Sequence, residues 1–222
     1  MRFASIATSL LLSFGLMGNS MYLAMPDKDI THPLFLLNNK YKISSHYAPP
    51  VIRVNVPGKS RYLQKKAALA AEALFAAAKE EGFDLYAISS YRAYGKQHAI
   101  YKRKLTKLDG NHTAVQDYIA LPGGSEHQLG LAVDVVTSNA NLHPNFFQTK
   151  EGQWIAENAY HFGFIVRYPI GLEHITGIQY EPWHLRYVGD YASDIHQSGL
   201  ALESYVSAQR LELYKKLLDN KE

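Results

Sequence analysis

The sequence predicts an α+β fold: a small central antiparallel sheet flanked by helices, one domain with an N-terminal arm and C-terminal helices. Three observations carry this reading. A long alanine-rich stretch with helical spacing comes first. Short apolar or alternating runs follow, interleaved with further helical segments. The interleaving lacks the regular strand–helix–strand rhythm of a parallel sheet. With 222 residues, 47% hydrophobic and 19% charged, the chain has enough apolar material to bury a core.

Taken in order, residues 1–24 stand apart from the fold. Arg2 precedes a charge-free apolar stretch from Phe3 to Met17, with small residues at Gly18, Ser20 and Ala24. This is the layout of a secretory signal peptide; the other reading is an uncleaved membrane anchor, for which the run is short of the ~20 residues a span needs. Residues 25–59 hold Pro26, Pro33, Pro49, Pro50 and Pro57 and read as an extended arm over the domain proper, 60–222. Ser60 is the expected cap of a helix through KKAALAAEALFAAAKEE, ended by Gly82 and facing inward through Leu69, Ala73, Leu74 and Ala77. FDLYAISS (83–90) alternates like a strand, and a polar helix follows Ala93. A short helix near Ala114–Ile119 leads into the loop Leu121-Pro122-Gly123-Gly124. Strands are expected at 131–136, 163–168 and near Ile178–Glu181, where Pro182 should end the regular strand. Helices are expected at about 152–160, 190–197 and 202–218.

Composition excludes several chemistries. The absence of cysteine removes disulfides, thiolate metal ligands and a thiol nucleophile, so any metal site must use histidine and carboxylates. A net charge of +3, spread along the chain, gives no footprint for nucleic acid. There is no H-E-x-x-H, no Ser-x-x-Lys and no Gly-x-Ser-x-Gly.

Three fragments carry chemistry. In LAVDVV, Ala132, Asp134 and Val136 share one strand face, and a carboxylate in such a run needs a cation or several donors. His127 stands seven residues earlier, with Gly130 allowing the chain to turn between them. A loop histidine and a strand aspartate suit half of a zinc site; the same spacing also suits a structural aspartate on loop amides beside an exposed histidine. The second fragment is Glu181-Pro182-Trp183-His184. A straight strand would put Glu181 and His184 on opposite faces, but a bend after Pro182 brings them to one pocket. His184 then completes two nitrogens and one oxygen around zinc, with Glu181 nearby as general base; the alternative is a turn with a stacked tryptophan. The third fragment is SSYRAYGKQ, where Arg92 at a strand end suits bidentate binding of a carboxylate, although most arginines are simply solvated.

SSYRAYGKQ, SEHQLGLAVDV, and GFIVRYP followed by YEPWHLRYVG resemble, in this order, the VanY-type D-alanyl-D-alanine carboxypeptidases. That zinc metallopeptidase group includes the L,D-carboxypeptidases of peptidoglycan. The resemblance spans roughly Ser60 to Gly189, and S-x-H-x-x-G-x-A-x-D falls without departure on Ser125, His127, Gly130, Ala132 and Asp134. It implies one zinc ion per chain held by His127, Asp134 and His184, with Glu181 as general base and Arg92 toward the substrate. It implies substrate contacts for Gln97, Ser125 and Tyr168, and a small α+β domain. The expected protein is a secreted or wall-associated monomer that removes a terminal D-alanine from peptidoglycan stem peptides. Cleavage of an L,D bond, an endopeptidase cut, or a non-catalytic zinc-stabilised wall-binding module are the competing readings.

Overall fold

The computed structural model describes residues 29–137 and 142–219; the expected signal or anchor segment lies outside them. Among the described residues no helix is long and apolar enough to cross a membrane. A two-stranded antiparallel ribbon, β1 (Ile52–Arg53) with β2 (Tyr62–Leu63), precedes helix α1 (Lys65–Glu80). Then come β3 (Leu85–Ser89), α2 (Tyr94–Lys107), α3 (His112–Gln116) and β4 (Ala132–Thr137). The chain continues through α4 (Lys150–Asn158), β5 (Phe164–Tyr168), α5 (Glu173–Thr176) and β6 (Glu181–Tyr187), and closes with α6 (Ala192–Ser198) and α7 (Leu202–Asp219). The main sheet has the order β3-β4-β6-β5, antiparallel throughout, which is the expected α+β architecture.

The two faces of this sheet do different work. Val133, Val135, Phe164 and Leu185 pack toward α1 in one core with Leu74, Phe75 and the helix alanines. Ile165 joins a second core with Leu34 and Leu36 of the arm and Ile195, Leu202 and Val206 of the last two helices. The strand residues that alternate with the first core are Asp134, Arg167, His184 and Arg186, all buried. Of these, Arg167 and Arg186 are covered by the last helix and the arm, through Glu203 and the Pro33 and Phe35 carbonyls.

Three local expectations are corrected. Helix α1 starts at Lys65 behind Gln64, not at Ser60, because residues 62–63 pair with β1 and Gln64 is pinned to Gly130 and Leu129 carbonyls. Ser60 Oγ instead meets Ser90 Oγ at 3.0 Å. The inward face of α1 is Ala67, Ala68, Ala71, Leu74, Phe75 and Ala78, while Leu69 is 54% exposed. An alanine-rich helix is apolar nearly all round, so the two adjacent large side chains, each worth about 2 kcal/mol when buried, decide the orientation. Finally, Pro182 does not end a strand: β6 begins at Glu181 and takes Pro182 as its second residue. Leu185 pairs with Val166 and Glu181 with Tyr168, so three residues of β6 oppose only Arg167. That bulge accommodates a residue with no N–H to give to the ladder.

Candidate active site

The bulge has a direct chemical result. It turns Glu181 and His184 toward one pocket, with Glu181 Oε2 3.9 Å from His184 Nδ1. Opposite His184 in the ladder stands Asp134, whose Oδ1 lies 3.0 Å from His184 Nδ1. His127 arrives from a short 3-10 turn, Glu126–Leu129, closed by Gly130 at φ 67°, a left-handed conformation that favours glycine. A Cβ at Gly130 would also come within 3.0 Å of Val51. The turn sets His127 Nε2 3.2 Å from Asp134 Oδ2, and His127 Nδ1 donates to the Ser90 carbonyl at 2.8 Å. The rings of His127 and His184 meet edge to face with centroids 4.9 Å apart. His127 is buried, against the reading of an exposed loop histidine.

These donors fit a zinc ion. One atom from each of His127, Asp134 and His184 lies within 4.8 Å of the other two, and no other such group occurs among the described residues. The two histidine nitrogens face different oxygens of Asp134, His184 Nδ1 at 3.0 Å from Oδ1 and His127 Nε2 at 3.2 Å from Oδ2, so the carboxylate stands between them as an oxygen donor to a shared ion. Three protein ligands leave a fourth position, the arrangement of catalytic rather than structural zinc. His127 Nδ1–H on a carbonyl leaves Nε2 with its lone pair facing the cluster.

Electrostatics agree with this division. Burial lowers His127 to about 4, with Asp134 only partly opposing, so His127 is neutral at pH 7 and ready to ligate. Burial raises Asp134, but His127 and His184 outweigh it and hold the carboxylate well below its usual range. Burial lowers His184, yet the Asp134 and Glu126 carboxylates outweigh it and lift the imidazolium to about 9. Burial, aided by Asp134, lifts Glu181 to about 8 against His184 and Arg92. Without metal, His184 therefore holds a proton that a divalent cation must displace. Zinc affinity is expected to tighten as pH rises toward about 9, with one to two protons released per zinc at pH 7, the second from Glu181. Calorimetry in buffers of different ionisation enthalpy measures this. Release of no proton would mean that His184 is already neutral.

The cleft over this cluster has a volume of about 260 Å³ and is lined by Arg92, Gln97, Ser125, Tyr168, Glu181 and Trp183, among others. Arg92 is held by two side chains: Nη1 donates to Gln97 Oε1 at 2.7 Å and Nη2 to Ser89 Oγ at 2.8 Å. Gln97 is itself fixed by Nε2 donating to the Ala120 carbonyl at 2.6 Å. Arg92 Nη2 also lies 3.8 Å from Asp134 Oδ2, an ion pair too long for a hydrogen bond, so each terminal nitrogen keeps a second N–H to offer a ligand. The Tyr168 ring lies 4.9 Å from that of His184. An equally large cavity between α4, β5 and α6 has apolar walls with His196 and two tyrosines but no carboxylate. All eight residues singled out from the sequence thus border one cleft. Reading the sequence missed the ionic group beneath His184: Glu126, Arg167 and Arg186, all buried, with the half-buried Glu203. The one available signal was Glu126 itself, adjacent to His127.

Residues 60–190 match the family described as VanY, D-alanyl-D-alanine carboxypeptidase. The chain belongs to the VanY family. It is 42% identical over 183 residues to YodJ of Bacillus subtilis (strain 168), covering 78% of this chain and 66% of that one, just under two thirds of its length. Among solved structures, the LdcB LD-carboxypeptidase is similar at a TM-score of 0.74 and 39% identity, over 79% of this chain and 87% of LdcB. A VanY D,D-pentapeptidase variant from a VanB-type vancomycin resistance cassette, in complex with Zn(II), is similar at a TM-score of 0.68 and 34% identity, over 78% and 98%. The likeness thus runs both to a D,D-pentapeptidase and to an LD-carboxypeptidase.

Proposed function

We propose that this chain is a zinc-dependent carboxypeptidase that removes a terminal D-alanine from peptidoglycan stem peptides. The observation that carries the proposal is the convergence of His127, Asp134 and His184 on one point, with Glu181 beside but outside the ligand set. A zinc ion held by His127, Asp134 and His184 would supply Lewis acidity to the scissile carbonyl and make water a stronger acid, with a pKa toward ~7. Glu181 takes the proton from the attacking water and passes it to the leaving amine. Arg92, braced by Gln97 and Ser89, presents its free N–H groups to the substrate carboxylate, and Ser125 and Tyr168 line the bound residue. An intact Glu181 beside an open fourth position argues against a purely wall-binding module. Such a substrate lies outside the cytoplasmic membrane, in keeping with the signal-like layout of residues 1–24.

The likeness to LdcB favours a second reading, release of D-alanine from an L,D bond. Incubation with defined muropeptides separates the two by product mass. Loss of D-alanine from pentapeptides supports the D,D reading, loss from tetrapeptides supports the L,D reading, and loss from neither with zinc bound overturns both.

Arg92→Lys tests the terminal contact, since lysine keeps the charge but loses the planar fork. The variant is expected to fold and bind zinc but to lose about 10–100-fold in kcat/KM, the scale of one charge-assisted hydrogen bond. Amidating the substrate C-terminus should harm the parent badly and the variant much less. Equal losses from amidation would mean that Arg92 does not contact the carboxylate.

A further inference from the structure

Beneath His184, on the side away from the cleft, lies Glu126, 1% exposed. Two buried arginines hold it, and both use the same oxygen: Arg167 Nε donates to Oε1 at 2.7 Å and Arg186 Nη1 donates to Oε1 at 2.8 Å. The other oxygen, Oε2, is buried with no hydrogen bond and faces His184 Nε2 at 3.4 Å. His184 Nε2 is likewise buried without a hydrogen bond. A cluster built only to tie elements together would spread two guanidinium groups over both oxygens; this one leaves Oε2 free beside the imidazole, where a small shift closes a hydrogen bond.

Tautomer logic gives the aim a purpose. His184 turns Nδ1 toward Asp134, so Nδ1 is the nitrogen that faces the candidate metal. A neutral imidazole ligating through Nδ1 must carry its proton on Nε2, and a buried N–H needs an acceptor. We infer that Glu126 is a positioning residue for the metal site, accepting Nε2–H from His184 and fixing that ring as an Nδ1 ligand. His127 solves the same problem in mirror image, donating Nδ1–H to the Ser90 carbonyl.

Support for Glu126 comes from both ends of the chain. Arg167 is clamped by Glu203 of α7 through Nη1 at 2.9 Å and Nη2 at 2.6 Å. Arg186 Nη2 donates to the Pro33 and Phe35 carbonyls of the arm, each at 2.9 Å. Two carboxylates and two guanidinium groups balance to zero, which keeps Glu126 ionised so deep in the fold. Glu203 and the arm lie outside the 60–190 match, so this chain recruits α7 and the arm into the support of its metal site.

The inference rests on the metal-site reading above, and its test distinguishes the two. In the zinc-loaded parent, ¹⁵N imidazole spectra should show His184 protonated at Nε2 and His127 at Nδ1. An Nδ1-protonated His184 with zinc bound overturns the inference alone, whereas failure to bind zinc overturns both. Glu126→Gln should weaken zinc binding about 10–100-fold, the scale for outer-shell partners, and shift the visible spectrum of the Co²⁺-substituted protein. Glu203→Gln should change zinc affinity in the same direction by less. If zinc affinity stays within about twofold of the parent in Glu126→Gln while melting of the metal-free protein drops, the cluster is only a brace and the inference fails.

Discussion

His127→Ala is expected to cost the protein its zinc and, with the zinc, its turnover. Two remaining ligands, Asp134 and His184, cannot hold the ion as three do, and zinc affinity should fall by more than ~10²-fold, since losing even an outer-shell partner costs 10–100-fold. His127 is the cleaner of the two histidines to remove. Its truncation leaves one carbonyl, Ser90, without a donor, whereas removing His184 strips partners from Asp134 and leaves Glu126 Oε2 facing a void. His184→Ala should therefore lose zinc and also melt lower when metal-free, because Asp134 loses its nearest partner and Glu126 keeps only its two arginines. Two readouts check this without relying on activity. Zinc at 100 times its Kd should stabilise the parent by about 2.7 kcal/mol and leave the variants unmoved. Bound zinc after dialysis should be near one per parent chain and near zero in both variants. Full activity in a protein stripped of metal would remove zinc from the mechanism.

The ease with which the ligand set could be read, and the difficulty of the rest, have one physical cause. His127 and Asp134 lie within a single turn-and-strand segment and Glu181 and His184 within one strand, so each pair was visible locally. Spacing left structural readings open, and the family resemblance joined the pairs into one candidate site. Asp134 was conspicuous because a carboxylate in an apolar run must be compensated. The strand at 85–89 was legible from alternation, because it buries one face, whereas 132–137 and 164–168 are buried on nearly every residue and were legible as short apolar runs instead. β6 was misplaced because Pro182 reads locally as a terminator, and only pairing with β5 shows that it occupies a bulge. Arg167 and Arg186 carry no local signal in the sequence. Their burial is made possible by Glu126 and Glu203, up to 60 residues away in sequence, and by carbonyls of the arm more than 150 residues away. No periodicity records such a pairing.

Glu181→Gln is the substitution that separates catalysis from metal binding. Glu181 enters the pocket through the β6 bulge but stays out of the ligand cluster, 3.9 Å from His184 Nδ1. Burial, reinforced by Asp134, lifts its carboxyl to about 8 in the metal-free protein, with His184 and Arg92 pulling the other way. A divalent cation at the ligand cluster adds a strong attraction for the carboxylate and brings that value down toward the working pH, where a general base is most effective. Activity should therefore be present above the pKa of Glu181 in the loaded enzyme and fall as pH drops through it, giving an acid limb below 8. Glutamine preserves volume and can still hydrogen-bond to water, but it cannot accept a proton. The expected loss in kcat is about 10²–10⁴-fold, with zinc affinity within a few-fold of the parent and the acid limb absent from whatever activity remains. Single-turnover hydrolysis of a stem peptide across pH 5–9, with zinc content measured on the same samples, checks all three. Zinc lost together with activity would make Glu181 a ligand. A loss of less than about fivefold would mean that Glu181 is not the base; among the described residues that line the cleft the other carboxylate is Asp134, which belongs to the candidate ligand set.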